Sequence, residues 1–351
     1  YKGLYKTSNG GETWILLKNG LKAWPREDNP KLPCYMLHFS IYIDPANPSR
    51  ILFPGGAAPG KISKVMHKTG GLHESLDGGN SWHQLFKGEM NAYTCHLVTD
   101  PRNPSIIYID TAALPESNLE ADPNKLFVEK GIVYKTIDGG KSWEELPTGI
   151  VKDMRSTGLF LNRANPDELL LMTMALPVGT GTDKKASEEQ AGILKTTDAG
   201  KTWTKVKSIE MAIRMAAVSP SNFNNFFISG DHNGNEKRFY SLDGGKTFSE
   251  AQTPVNFARY DPHDPQGLRL IGFSLYTQPN DVFESIDGGR TWNAIGKLPK
   301  EATNDHRISN IAWDPQDKNV IYFNGDMARI WKTTDGAKTW KLILSLEQLE
   351  Q

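Results

Sequence analysis

The chain has 351 residues, a length that fits two average domains or one large all-β propeller. Hydrophobic residues make up 38% and charged residues 23%, with 32 glycines, 21 prolines and 9 tryptophans. This balance excludes a disordered chain and a helical bundle, and it favours a loop-rich β fold. The formal net charge of -1 provides no overall field that would attract nucleic acid or an anionic membrane. The longest apolar stretch, residues 169–178, is far shorter than the ~20 residues of a membrane-spanning helix.

The first repeated element is a turn motif, called here the Asp box: Ser or Thr, any residue, Asp, any residue, Gly, two more residues, then Trp or Phe. Its Asp position is occupied by Asn9, Asp77, Asp138, Asp198, Asp243, Asp287 and Asp335. The Asp side chain accepts backbone hydrogen bonds within a turn, and Gly supplies a positive φ. Each box therefore predicts a structural hairpin turn, with its aromatic residue packed underneath. Ala337 replaces Gly in the last box, which predicts that this turn is the least regular.

A second repeat lies between the boxes. It is an apolar strand that ends in an Asp-Pro type of turn and is followed by another apolar strand. The six copies begin in residues 39–45, 95–101, 159–162, 215–220, 257–262 and 311–315. Each unit then has four strands, with A and B joined at the Asp-Pro turn and C and D joined at the box. Such a unit is a propeller blade, which buries its faces only by stacking on neighbouring blades.

Seven boxes accompany only six Asp-Pro pairs, and the sequence opens at Tyr1 with a C strand already under way. We therefore expect an all-β, seven-bladed β-propeller of four-stranded antiparallel blades whose first blade is incomplete at the N-terminus. Residues 1–351 would form this single domain. We expect it to be part of a longer chain, with an additional domain N-terminal to residue 1.

Boxes such as Ser285-Ile-Asp287-Gly-Gly289-Arg-Thr-Trp292, linked by Asp-Pro turns, resemble the Asp-box (bacterial neuraminidase repeat) propeller superfamily. That superfamily includes sialidases, xyloglucanase-type glycosidases, sortilin-type receptors and photosystem II assembly-factor propellers. The resemblance implies the propeller fold and an extracellular or periplasmic location. It does not choose a function, because the box is structural in all of these proteins.

The two types of stereotyped turn lie on one face of a propeller, and the B–C and D–A connections form the opposite face, called here the loop face. The first three B–C connections are longer than the last three, with insertions at 55–68, 111–130 and 175–190. The long connection 19–37 adds to the same flank. Because variable loops on a rigid scaffold usually carry binding, we expect a lopsided cleft on the loop face.

Three carboxylates stand at the ends of B strands: Asp110, Asp231 and Asp326. A glycosidase needs two carboxylates roughly 5 to 10 Å apart, so these residues are weak catalytic candidates. The alternative is that they cap turns, as in the segment Gly230-Asp231-His232-Asn233-Gly234.

The starts of A strands carry basic residues that are candidates for ligand binding. They are Arg155, Arg214, His306 and Arg307. Three converging arginines could clamp a carboxylate or sulfate, which resembles the sialidase arginine triad, although the Arg-Ile-Pro motif of sialidases is absent. The alternative is pairing with neighbouring acids, namely Asp153, Glu210 and Asp305.

Trp24 is outside every box and is a further ligand-binding candidate, because an exposed aromatic ring stacks on sugars or anchors a peptide. It could equally plug its own loop. Cys34 and Cys95 form either one disulfide bridge or two buried thiols. His38, Cys95 and His96 would bind a metal only if their side chains converged, and residues 95 and 96 point to opposite faces of a strand. We predict no metal site and no cofactor.

Two functions fit these features. The first is a binding or assembly propeller that presents its loop face to a protein or glycan ligand, without nucleic-acid partners and without a membrane span in this chain. The second is a glycoside hydrolase, sialidase-like or xyloglucanase-like, that uses paired carboxylates on a polysaccharide or glycan.

Overall fold

The computed structural model describes residues 4–21, 24–25, 33–34, 41–55, 71–86, 92–113, 132–150, 154–175, 192–208, 212–232, 235–274, 281–299, 302, 310–325 and 329–345. The chain divides into two compact units, Tyr1–Glu210 and Met211–Gln351. Within the described ranges, no helix is both long and apolar enough to cross a membrane.

The first unit holds two two-stranded sheets and three four-stranded sheets, all antiparallel. The two-stranded sheets are β1 (Leu4–Lys6) with β2 (Ile15–Leu17), and β3 (Trp24–Pro25) with β4 (Pro33–Cys34). The four-stranded sheets are β5 (Tyr42–Ile43), β6 (Ile51–Gly55), β7 (Gly71–Ser75) and β8 (His83–Phe86); β9 (Ala92–Asp100), β10 (Asn103–Ala113), β11 (Ile132–Thr136) and β12 (Glu144–Glu145); and β13 (Met154–Leu161), β14 (Leu169–Ala175), β15 (Gly192–Thr196) and β16 (Thr204–Ser208).

The second unit holds three four-stranded antiparallel sheets. They are β17 (Ala212–Val218), β18 (Phe226–His232), β19 (Asn235–Ser241) and β20 (Ser249–Glu250); β21 (Phe257–Tyr260), β22 (Leu270–Phe273), β23 (Asp281–Ser285) and β24 (Asn293–Lys297); and β25 (Asn310–Trp313), β26 (Ile321–Asn324), β27 (Ile330–Thr333) and β28 (Lys341–Leu344).

These sheets confirm the predicted fold, an all-β propeller of four-stranded antiparallel blades with an incomplete first blade. Blade 1 is the β1–β2 sheet, and blades 2 to 7 are the six four-stranded sheets of the described residues in chain order. In each complete blade, consecutive strands pair, so the order is A, B, C, D from one edge to the other. The A strands of consecutive blades contact each other, β9 with β13 and β17 with β21, which makes A the innermost strand.

The B strands carry the core because neighbouring blades cover both of their faces. In β10, Ile107, Tyr108 and Ile109 are all buried, an unbroken apolar run rather than an alternating one. Contacts between blades follow the same pattern, with Leu52 and Leu72 of blade 2 packed against the apolar side chains of blade 3. Each blade is therefore stable only in its stack.

The box turns are held by a repeated set of side-chain hydrogen bonds, seen in the second box. Ser75 Oγ donates to Asp77 Oδ1 at 2.8 Å and accepts from the backbone of Gly79 at 2.8 Å. Asp77 also accepts from the hydroxyl of Ser81 at 2.5 Å and from its backbone N–H at 2.8 Å. The Ser81 bonds, with that of Ser75, lower the pKa of Asp77 from 3.8 to about 2. Trp82 lies beneath the turn and donates to Gly79 O at 3.0 Å.

The last box departs from this pattern. Ala337 takes a positive φ of 78° there, and its N–H lies 3.2 Å from Thr333 Oγ1, against 2.8 Å at the same bond of the second box. The buried Nε1 of Trp340 has no hydrogen-bond partner among the described residues, whereas Trp82 has one. A second alanine at positive φ, Ala199 at 59°, occupies the fourth box position of blade 4 and was not expected from the sequence.

Candidate functional site

Three consecutive innermost strands each contain a β-bulge at the same register position. In β9 the register shift lies opposite residues 109–111 of β10. In β13 it lies at residues 156–158, and in β17 at residues 213–215. Each shift inserts extra residues on the A strand, as a bulge does. Bulges of this kind re-aim side chains and are common beside functional sites. In the first unit, the bulges of β9 and β13 make the loop-face half of these two A strands a candidate site.

The bulge in β9 places His96 against Asp110. Thr94 pairs with Thr111 and Leu97 pairs with Ile109, so Cys95 and His96 together face the single residue Asp110. This pair of A- and B-strand residues joins an imidazole and a carboxylate on the inner side of blade 3. We call His96 and Asp110 the inner dyad.

The inner dyad is closed on one side and accessible on the other. Asp110 is 1% exposed and accepts two bonds from the same residue, the backbone N–H of His96 at 2.6 Å and its Nδ1 at 2.7 Å. The His96 side chain is 25% exposed. Because the carboxylate holds Nδ1, the ring has one orientation, and Nε2 is the ring nitrogen left to meet a ligand.

The adjoining innermost strand, β13, carries two further hydroxyl groups at its own bulge. Strand β13 contacts both β9 and β10, and its bulge carries Ser156 and Thr157. The hydroxyl oxygens of Ser156 and Thr157 are buried and have no hydrogen-bond partner among the described residues. Since an unpaired buried hydroxyl costs free energy, both groups are available to a ligand or an ordered water. No cluster of three or more metal-ligating side chains occurs in the described part of the chain.

The three predicted carboxylates do not share one position. Asp110 does not cap a turn, because it lies inside β10 and pairs with Val133 of β11. Asp231 lies inside β18, where its backbone pairs with Ala212 and Glu236, but its side chain is outside the described part. Asp326 lies outside the described residues. The count along each B strand starts at the residue that pairs with the first residue of that blade's Asp box. Asp110 is the third residue after this point, whereas Asp231 is the fifth.

The basic candidates are only partly described. Arg214 is the residue inserted by the bulge in β17, and it is exposed. Arg155 pairs through its backbone with Met174, and its side chain is outside the described part. His306 and Arg307 lie outside the described residues altogether. The arginine clamp therefore remains a prediction.

Trp24 lies in the β3–β4 hairpin, where its backbone pairs with that of Cys34. The side chains of Trp24, Cys34 and Cys95 are outside the described part, as are most of the three B–C insertions predicted to form a cleft. The ligand-binding role of Trp24 and the bridging of the cysteines stay predictions.

The partnership of His96 with Asp110 was missed from the sequence, although a signal was present. Asp110 follows the apolar run Ile106-Ile-Tyr-Ile109, so a buried aspartate was foreseeable, and a buried aspartate requires a partner. His96 stands on the strand that the Asp-Pro turn folds back against β10. In a regular strand, residues 95 and 96 would point to opposite faces. The bulge changes this, because it places both residues opposite Asp110.

The fold and the inner dyad together define a β-propeller with a polar site on its inner strands. No family model matches the chain. Among curated proteins, the chain is 23% identical over 347 residues to the xyloglucanase Xgh74A of Acetivibrio thermocellus, covering 82% of this chain and 38% of that protein. It is 28% identical over 95 residues to a vacuolar protein sorting/targeting protein 10 of Aspergillus clavatus, covering 26% of this chain and 6% of that protein.

Solved structures show the same fold. A GH74 xyloglucanase from Xanthomonas campestris superposes with a TM-score of 0.65 at 14% identity, covering 98% of this chain and 51% of that chain. A YCF48 protein bound to a D1 peptide superposes with a TM-score of 0.53 at 14% identity, covering 88% of this chain and 84% of that chain. The resemblance stated from the sequence to xyloglucanase, sortilin-type and assembly-factor propellers is confirmed at the level of fold and distant similarity. The chain spans well under two thirds of the curated relatives it matches.

Proposed function

We propose that this chain is an extracytoplasmic binding propeller that presents its loop face to a protein or glycan ligand. The observation that carries the proposal is the inner dyad. Both carboxylate oxygens of Asp110 accept hydrogen bonds from His96, and the side chain is buried. Asp110 therefore cannot reach a glycosidic bond as an acid or a nucleophile. It acts instead as the group that positions the His96 ring, whose free nitrogen then contacts the ligand.

The chemistry of the dyad suits a ligand with polar groups rather than a purely apolar one. A neutral imidazole whose Nδ1–H is bound to a carboxylate accepts a hydrogen bond at Nε2, and the charged ring donates one. Hydroxyl groups of a sugar and the amide groups of a peptide backbone both offer the matching partners.

Two comparisons support this class of function. A YCF48 protein of similar fold has a solved structure bound to a D1 peptide, which supports a peptide as one possible class of ligand. A vacuolar protein sorting/targeting protein 10 shares part of the sequence. The extracytoplasmic location rests on the same superfamily resemblance.

The proposal is tested by screening the chain against arrays of peptides and glycans and then measuring the affinity of each hit by calorimetry. His96→Asn removes the ring and should weaken binding at least tenfold, while Asp110→Asn keeps the ring but loses the carboxylate that orients it and should weaken binding less. His83→Asn is the matched control, because His83 is an exposed histidine on the outer strand β8 and should leave affinity unchanged. Equal affinity of the His96 and His83 variants would overturn the proposal.

A second candidate function is glycoside hydrolysis. It is favoured by the similarity to a xyloglucanase across 82% of the chain. Its carboxylates would then be Asp231 and Asp326 rather than Asp110, because Asp110 is committed to His96. Release of reducing ends from a polysaccharide distinguishes the two functions.

A further inference from the structure

Blade 6 carries an arginine on its innermost strand, at a position where the other complete blades have uncharged residues. Arg259 of β21 pairs with Ile271, the residue after the one that pairs with the first box residue, Ser285. The same register position holds an uncharged residue in blades 2, 3, 4, 5 and 7: Tyr42, Val98, Phe160, Ala217 and Ala312. The blade architecture therefore does not require a charge at this position.

Arg259 has no carboxylate partner in the described part of the chain. Its Nη1 donates to the main-chain oxygen of Ala258 at 2.9 Å, and its guanidinium carbon lies 4.5 Å from the ring centre of Phe257. A guanidinium group has five N–H donors, so most of them are left for another partner. Three other partly buried arginines each make an ion pair with a glutamate at 2.7 to 2.9 Å: Arg50, Arg238 and Arg269.

The guanidinium group of Arg259 is also poorly solvated. The residue is only partly exposed, and burial lowers its pKa from 12.5 to about 10. Burial also lowers the pKa of Arg269, but hydrogen bonds to Glu284 and Asp261 outweigh this effect, so that its pKa is raised. A charge that leaves water costs free energy, which a nearby opposite charge offsets. Arg259 is charged at neutral pH without that offset from the described residues.

The backbone pairing directs this group to the inner edge of blade 6. The N–H of Asp261 donates to Arg269 O at 2.9 Å, so residues 261, 259 and 257 are the hydrogen-bonded positions of an antiparallel pair. Ala258 has the alternate position, and its carbonyl therefore points away from β22. Because Nη1 of Arg259 binds this carbonyl, the guanidinium group lies at the inner edge of the blade, against the ring of Phe257.

We infer that Arg259 is the anion-binding group of a further ligand site, and that the group it binds is a carboxylate. Two parallel N–H donors of a guanidinium match the two oxygens of a carboxylate. One positive charge also balances the one negative charge of a carboxylate, whereas sulfate would keep a second negative charge unbalanced in a partly buried place. Arg259 belongs to the second unit, so this site is additional to the inner dyad of the first unit.

The binding test follows the Nε–H signal of Arg259 by NMR in the whole chain made with isotope-labelled arginine. Acetate added at constant ionic strength should shift this signal to saturation, and sulfate should bind at least tenfold more weakly. Methyl glucuronide and N-acetyl-aspartate amide carry one carboxylate each, on a sugar and on a peptide unit. We expect one of them to bind more tightly than acetate, which identifies the source of the carboxylate. No saturable shift with any carboxylate, or tighter binding of sulfate, would overturn the inference.

Variants of the same residue separate a binding role from a structural one. Because a ligand that binds the folded state stabilises it, acetate at constant ionic strength should raise the melting temperature of the wild type. Arg259→Met should abolish this rise, and Arg259→Lys, which keeps the charge without the fork, should need at least tenfold more acetate. Arg290→Met is the matched control, because Arg290 is exposed in the box of the same blade. It should respond as the wild type does.

Without acetate, Arg259→Met should melt at or above the temperature of the wild type, because it removes an unbalanced charge and keeps an apolar side chain beside Phe257. A lower melting temperature of this variant without acetate would show that Arg259 is a structural cation. A rise with acetate equal to that of the wild type would show that the carboxylate binds elsewhere. Either result would contradict the assigned site.

Discussion

His73 is a buried histidine on the C strand of blade 2. Its ring stacks on Phe53, with centroids 5.1 Å apart and an interplanar angle of 12°. Its Nδ1 has no hydrogen-bond partner among the described residues. Burial lowers the pKa of His73 from 6.5 to about 4, and the charge of nearby His83 lowers it further in the same direction. The ring is therefore neutral in the folded protein at pH values where an unfolded histidine is already charged.

This shift predicts a loss of stability in mild acid. Between pH 6.5 and about 4, His73 is protonated in the unfolded state but neutral in the folded state. The free energy of unfolding therefore falls as the pH falls through this window. The contribution is about 3 kcal/mol when the window has been crossed. His73→Phe keeps an aromatic ring over Phe53 and should flatten this part of the profile. Urea unfolding at several pH values measures the difference, and parallel profiles of the two proteins would contradict the prediction.

Two alanines occupy box positions at positive φ, but their side chains have different surroundings. Ala199 is partly exposed at φ 59°, whereas Ala337 is fully buried at φ 78° inside the core of the second unit. A residue with a Cβ is strained in this region, and glycine is not. Only at Ala337 does the methyl group also contribute buried apolar surface.

We expect Ala199→Gly to raise the free energy of unfolding by about 0.5–1 kcal/mol, because it removes backbone strain without losing a packed methyl group. Ala337→Gly should change it little, because relief of strain is offset by loss of a buried methyl worth about 0.8 kcal/mol. Chemical denaturation of both variants checks the contrast. An equal gain at both sites would show that strain alone governs these turns.

At the scale of the element, three blades repeat one ion pair between the start of the B strand and the C strand. In one of them the acidic and basic residues exchange places. In blade 2, Arg50 Nε donates to Glu74 Oε1 at 2.7 Å, and in blade 6 Arg269 Nε donates to Glu284 at 2.7 Å. In blade 4 the acid comes first. Glu168 pairs with Lys195 across the same two strands.

The reversal predicts that the charges can be exchanged as a pair. Glu168→Arg alone places two cations together and should lower the free energy of unfolding by about 2 kcal/mol. Adding Lys195→Glu recreates the Arg–Glu arrangement of blades 2 and 6 and should restore most of the loss. Denaturant midpoints of the wild type, the two single variants and the double variant complete the cycle. A double variant less stable than either single variant would contradict the equivalence of these positions.

The regular elements could be predicted from the sequence because their signals are local. A box such as Ser75 to Trp82 forms its hydrogen bonds within eight residues of chain, so its sequence alone defines the turn. The inner dyad could not be predicted in the same way. His96 and Asp110 come together because the pairing of β9 with β10 shifts by one residue. No residue type in β9 or β10 predicts that shift.

At the scale of the molecule, repetition made the fold predictable and left the function open. Seven copies of one turn define a propeller whatever its loop face binds. The site depends on what differs between blades, such as the dyad in blade 3. The two functional hypotheses differ in one respect that chemistry can test, namely whether carboxylates of this chain cleave a glycosidic bond.

The most direct test is therefore release of reducing ends from xyloglucan and other polysaccharides, measured with the purified chain alongside binding of the same polymers. The proposed binding function predicts no release above the buffer rate, with any polysaccharide binding weakened by His96→Asn. Steady release that is lost in Asp231→Asn or Asp326→Asn, and kept in His96→Asn, would contradict it and establish the glycoside hydrolase.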